Sequence, residues 1–242
     1  MHRLALFKPD GRELILYGHQ PVTPTPVVPA AGMRAPAASH LRWHPLRAEW
    51  VIYAGARQNR TFLPPPDWDP LAPTVDPARP TEVPAGNWDV AVFENLFSAL
   101  GDPVTPPQLD LVATAPSGGR CEVVVYTQDA SGSLSTLPLG RVEMIMDVWA
   151  ERCAALARRD DVRYVFVFEN RGVEVGATLH HPHGQIYAYP FVPPMVEREL
   201  TSLAEYHQRN GRGLLEDMIA AELVADRRTL LVGEHAVSWV PA

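Results

Sequence analysis

Thirteen of the chain's 25 prolines fall within residues 21–80. Proline fixes φ and removes a backbone donor, so this third of the chain is expected to run as extended segments and turns, with no room for long helices. Residues 49–56 are the exception within it, because Trp50, Val51, Ile52 and Tyr53 favour a strand that ends in Gly55-Ala56-Arg57-Gln58-Asn59-Arg60. Residues 88–93, 121–127, 163–168 and 185–189 are β-branched and aromatic and predict further strands. Helices are fewer. Residues 139–158 carry Val142, Ile145, Met146, Trp149, Cys153 and Leu156 at helical spacing, with Arg141, Glu151 and Arg158 on the other face. Residues 196–209 and 214–227 are also helical in pattern, divided by Asn210-Gly211, and 229–240 predicts a final strand with a turn near Gly233. The arrangement predicts an α+β fold, an antiparallel sheet with helices packed on one side. Residues 1–40 are expected to form an extended, proline-rich lead-in, and 41–242 the domain itself.

With 242 residues, 46% of them apolar, the chain can bury a sizeable core as one large domain or two small ones, which excludes a peptide, a coiled coil and a disordered tail. A formal charge of −7 gives no broad electrostatic footprint for nucleic acid, although a few placed arginines suffice for a nucleotide. The two cysteines, Cys121 and Cys153, exclude a disulfide framework and are expected to be free, buried thiols in a reducing compartment. The N-terminus soon meets charge and turn residues instead of an apolar stretch, and no run of about 18 apolar residues suggests a membrane span. A cytoplasmic protein is expected, with no nucleic acid or membrane partner.

Three histidines fall within four residues, in Thr178-Leu179-His180-His181-Pro182-His183-Gly184-Gln185-Ile186-Tyr187. On an extended segment His181, His183 and Gln185 share one face, while Pro182 and Gly184 take the other. Gly184 leaves room for close backbone or ligand approach, and Pro182 stiffens the segment. Imidazole is largely neutral near pH 7 and can attack phosphorus without a separate base. A neighbouring histidine can orient it or bind a metal. Gln185 can hold a phosphoryl oxygen but cannot relay a proton. The residues therefore favour a covalent nucleotidyl-histidine that waits for an acceptor, against a metal-binding or merely surface His-rich turn. Just upstream, 165–168 leads to Glu169-Asn170 and a loop with Gly172, Gly176 and Thr178, whose backbone N–H groups can face a phosphate. A tight hairpin explains the glycines equally well, but not their combination with Asn170, Thr178 and the histidine row.

These residues resemble the galactose-1-phosphate uridylyltransferase family, a branch of the histidine triad superfamily. The match is carried by Glu169-Asn170, Gly176 and His181-Pro182-His183-Gly184-Gln185-Ile186-Tyr187, then by 189–193 and Glu197-Arg198-Glu199. It extends to 43–52, which resembles the family's N-terminal motif and leads to Arg57 and Arg60, and to 92–100, where Asn95 stands at a nucleoside-contacting position. A turn-forming Asn at a strand end is the simpler account of Asn95. The resemblance implies a histidine-triad-like domain over 41–242, the N-terminal half of the family, and a ping-pong reaction. His183 would take the uridylyl group of UDP-glucose and pass it to galactose 1-phosphate, as in galactose metabolism. Arg57, Arg60, Thr178 and Gln185 would stabilise phosphoryl oxygens, with Asn95 and Asn170 as further substrate contacts, and His181 would position the nucleophile. Rival readings are an ADP-sugar phosphorylase, a nucleotide hydrolase, and a non-catalytic nucleotide-binding remnant.

Many family members hold zinc through a Cys-x-x-Cys pair, a later histidine and the first histidine of His-Pro-His. Here the corresponding positions are Asp69, Ala72, Ala130 and His181, so no structural zinc or other cofactor is expected. Glu199 aligns with a family iron ligand but is expected to be an exposed helix glutamate. The resemblance covers only the first of the family's two halves, and it implies a homodimer, or a separate chain supplying the C-terminal half, or a truncated form with altered activity.

Overall fold

Strands form where β-branched and aromatic residues cluster, and the longest helix forms where apolar residues recur every three to four positions. In a computed structural model, which describes residues 1–25, 39–55, 57, 68–175, 177 and 179–241, the chain divides into two units, Met1–Phe191 and Val192–Ala242. The first unit contains β1 (His2–Phe7), β2 (Glu13–Gly18), β3 (Ser39–His44), β4 (Glu49–Ala54), β5 (Pro73–Thr74), β6 (Val83–Pro84), β7 (Val90–Glu94), β8 (Thr114–Pro116), β9 (Arg120–Val125), helix α1 (Leu139–Ala157), β10 (Tyr164–Phe168) and β11 (His183–Tyr189). Six strands make one antiparallel sheet in the order β1-β2-β7-β9-β11-β10. A second antiparallel sheet runs β4-β3-β8, and β5 pairs with β6 in parallel.

The boundary expected at residue 41 does not coincide with one in the fold. β1 and β2 form a hairpin, and β2 pairs in turn with β7, so the first eighteen residues belong to the central sheet. Leu14, Ile15, Leu16 and Tyr17 are all buried, the continuous apolar run of a strand covered on both faces. The remainder of the expected lead-in, residues 26–38, lies outside the described residues.

α1 covers one face of the large sheet. Its Met144, Ile145, Val148 and Leu156 pack with Ile15, Tyr17, Val92, Val124, Tyr126 and Ile186. The buried stripe is rotated from the one expected: Met146 is exposed, and Arg152 is buried in its place. A charged side chain can occupy this position because Arg152 Nε and Nη2 donate to Glu122 Oε2 and Oε1 at 2.9 and 2.7 Å, a bidentate pair that offsets the desolvation. Arg141, also assigned to solvent, donates to the Asp89 carbonyl oxygen at 2.6 Å.

The other face is covered by non-helical chain. Leu71, Val83 and Trp88 pack on Leu14, Leu16, Phe93, Val123 and Val125, so the proline-rich segment serves as a lid over β2, β7 and β9. Ile52 and Ala54 of β4 pack near Leu100, Cys121, Tyr187 and Tyr189. His183 and Gln185 of β11 stand opposite Val125 and Val123, whose side chains belong to this same face.

The second unit has α2 (Pro194–Asn210), α3 (Leu214–Ala225) and a hairpin of β12 (Thr229–Val232) and β13 (Val237–Trp239), close to the pattern read from sequence. Glu199 is exposed on α2. Among the described residues, no helix is long and apolar enough to cross a membrane.

Candidate active site

Alternation along β11 divides its residues cleanly. Gly184, Ile186 and Ala188 are buried, whereas His183, Gln185, Tyr187 and Tyr189 are half-buried on the opposite face. His183 lies opposite Val125 and Gln185 opposite Val123 on β9, while Gln185 meets Phe168 of β10 on its other edge. His183 and Gln185 are therefore neighbours on one face of a strand held within the sheet. The room at Gly184 is not left for a ligand. A Cβ there would overlap the Tyr126 hydroxyl and lie 2.9 Å from Tyr126 Cζ, so it is the Tyr126 ring that requires glycine.

His181 departs from the expected row because the strand begins at His183, and alternation does not extend to the bend before it. Its ring is buried, at 3% exposure. Nδ1 lies 2.6 Å from Asp69 Oδ2 and Nε2 lies 2.8 Å from the Thr127 carbonyl oxygen, each within hydrogen-bond distance. The Pro182 carbonyl accepts from the Tyr126 amide at 3.1 Å. His183 Nδ1 in turn donates to the His181 carbonyl oxygen at 2.7 Å. A carbonyl oxygen only accepts, so the proton of a neutral His183 sits on Nδ1 and the lone pair on Nε2, the form that attacks an electrophile.

Asp69 is anchored independently: the Leu71 amide donates to its Oδ1 at 2.9 Å, and Leu71 is buried in the core. Burial alone would raise the Asp69 pKa, but hydrogen bonds from His181 and from the Leu71 and Ala72 amides outweigh it and hold the carboxyl below its ordinary value.

The zinc that the family resemblance brings with it does not fit these residues. Ala72 and Ala130 offer no donor side chain, which leaves one carboxylate and one imidazole for a tetrahedral ion, and both nitrogens of that imidazole are engaged, with Asp69 and with the Thr127 carbonyl. Among the described residues, no group of three or more His, Cys, Asp or Glu side chains could hold a metal ion.

The remaining candidates are placed unevenly. Arg57 Nη1 donates to the Phe97 carbonyl oxygen at 2.8 Å, and the Phe97 amide donates to Asn95 Oδ1 at 2.9 Å. One peptide unit thus joins Arg57 to Asn95, and Asn95 uses its side-chain oxygen in a local turn at the end of β7. Asn170 is exposed, two residues beyond Phe168. Arg60, Gly176 and Thr178 lie outside the described residues. Both cysteines are free; Cys121 is buried as expected whereas Cys153 is only half-buried, and burial pushes each thiol upward, which disfavours the thiolate. Glu169, beside the histidine strand's neighbour, also has its pKa raised by burial.

The residues missed from the sequence are Thr127, through its carbonyl, and Tyr126. Asp69 was legible only as a replaced ligand. Its pairing with His181 spans 112 positions, and no local pattern signals it.

Comparison with known proteins shows the family and the fold. The sequence model of the galactose-1-phosphate uridyl transferase N-terminal domain matches residues 31–193. The chain is 38% identical over 232 residues to the galactose-1-phosphate uridylyltransferase of Streptomyces lividans, covering 96% of this chain and 61% of that protein. It is 27% identical to the ADP-glucose phosphorylase of Arabidopsis thaliana, covering 83% of this chain and 61% of that one. A solved uridylyltransferase structure superposes with a TM-score of 0.69 at 27% identity, covering 84% of this chain and 61% of its own. The chain thus spans about three fifths of the length of the relatives it matches.

Proposed function

The chain belongs to the galactose-1-phosphate uridyl transferase family through its N-terminal domain, and on that footing we propose that it is a nucleotidyltransferase moving a uridylyl group from UDP-glucose to galactose 1-phosphate through His183. The observation that carries this reading is the hydrogen bond from His183 Nδ1 to the His181 carbonyl, which leaves the lone pair on Nε2 beside Gln185.

In the first half-reaction Nε2 attacks the α-phosphorus, a P–N bond forms, the P–O bond to glucose 1-phosphate breaks, and glucose 1-phosphate departs. In the second, a phosphate oxygen of galactose 1-phosphate attacks the same phosphorus and the P–N bond breaks, which regenerates the imidazole and releases UDP-galactose. The Gln185 amide holds a phosphoryl oxygen and, being unable to take a proton, does not deliver one to the intermediate. Arg57 and Arg60 supply positive charge to the phosphates, Thr178 a hydroxyl, and Asn95 and Asn170 amides to the rest of the nucleotide. The free thiols support a cytoplasmic location.

The test is incubation with UDP-glucose labelled at the α-phosphate. Acid-labile label is expected on the wild-type protein, and its loss by more than about a hundredfold in His183→Asn, as removal of a covalent nucleophile requires. Binding of UDP-glucose without any label sinks the covalent mechanism. The ADP-glucose phosphorylase relative favours a second reading in which inorganic phosphate is the acceptor. Discharge of the label by galactose 1-phosphate, phosphate or water separates transferase, phosphorylase and hydrolase.

A further inference from the structure

The segment ahead of the nucleophile is tied to two other parts of the chain. His181 reaches Asp69, in the turn that leads into the proline-rich lid, and the Thr127 carbonyl, just past the end of β9. Pro182 is held by the Tyr126 amide. The oxygen that fixes the His183 tautomer is the carbonyl of His181 itself. Any rotation of the His181 ring that shifts its backbone therefore moves the acceptor on which the His183 lone pair depends.

We propose that Asp69 is a positioning residue for the nucleophile, its carboxylate holding His181 so that the His181 carbonyl keeps His183 in the Nδ1–H form. This deepens the function proposed above and rests on it for the role of His183. Asp69 suits the task because its other oxygen accepts from the Leu71 amide, its own carbonyl oxygen accepts from the Ala72 amide at 3.3 Å, and Leu71 is buried against the central sheet. The carboxylate is thus held by contacts independent of the histidine. At 2.6 Å the contact with the carboxylate is short, and a hydrogen bond to an ionised group is stronger than a neutral one. The chain thereby ties the lid to the nucleophile's segment through a side-chain pair and needs no ion at this point.

The experiment compares the wild type with Asp69→Asn and Asp69→Ala in the complete chain. It measures the rate of protein labelling at saturating UDP-glucose, the Kd for UDP-glucose, and the ring-nitrogen NMR signals of His183. Labelling is expected to fall about tenfold in Asp69→Asn, whose amide oxygen still accepts but carries no charge, and towards a hundredfold in Asp69→Ala, the range typical of lost outer partners. Kd should move less than about twofold, and the His183 spectrum should change from one tautomer to a mixture, effects that a loss confined to stability does not produce. Should Asp69→Ala fail to fold, Asp69→Asn carries the same comparison. Unchanged labelling in the folded variant of greatest effect overturns the proposal, as does an unchanged His183 tautomer. Wild-type labelling that is abolished by a chelator and restored by zinc also overturns it. If the wild type binds UDP-glucose but takes no label, the transferase reading fails separately, and the nitrogen spectra alone decide whether Asp69 positions His183.

Discussion

At Gly184 the lack of a side chain serves the protein's own packing, since Tyr126 fills the space directly beneath the strand that carries His183. Gly184→Ala is expected to destabilise the protein by ~1–3 kcal/mol through overpacking and to slow labelling, because the strain falls next to the nucleophile. Tyr126→Phe should cost little alone, as its hydroxyl has no hydrogen-bond partner among the described residues, and should recover part of the loss in the double variant. Urea unfolding of the two single variants and the double variant measures the coupling. The pattern His-Pro-His-Gly-Gln made the shared face legible, because His183 and Gln185 stand two apart on a strand. The reason for the glycine was not legible. It depends on a tyrosine brought alongside by the pairing of β9 with β11.

The elements were read most accurately where composition and periodicity agreed, as in β7, β9, β10 and the three helices. They were read least well where a rule of burial was broken. The apolar stripe on α1 was misplaced because Arg152, a residue type that is rarely buried, points inward to Glu122. β2 was overlooked because the prolines that follow it coloured the whole N-terminal stretch, although Leu14-Ile15-Leu16-Tyr17 is the run of a doubly covered strand. The helix–sheet contact gives the next expectation. Arg152→Ala should cost roughly 3–5 kcal/mol, since it strands the buried Glu122 carboxylate, whereas Arg152→Met combined with Glu122→Leu should recover most of that cost. Chemical denaturation followed by circular dichroism tests both, and a loss below about 1 kcal/mol for Arg152→Ala would show that the neighbouring Arg120, 3.5 Å from Glu122, takes over the charge.

Across the whole molecule, burial is concentrated in the first unit. Every buried hydrophobic residue among those described lies between Leu14 and Ala188, while α2 buries none of its residues and α3 buries only Glu222. Hydrogen exchange should therefore be at least about a hundredfold faster in α2 and α3 than in β7, β9 and β11, because local opening of the second unit exposes little additional apolar surface. Equal protection in both units, measured by mass spectrometry, would contradict this. The candidate site is also a property of the first unit as a whole, since its motif is local but its supports come from residues 69, 126 and 127, which no short window joins to 181–185. The strand bearing the nucleophile is bonded to β9 along one edge and to β10 along the other. So confined, it is not free to carry a bound group from one station to another, and on the proposed role of His183 donor and acceptor would take turns at a single threshold instead of meeting across it.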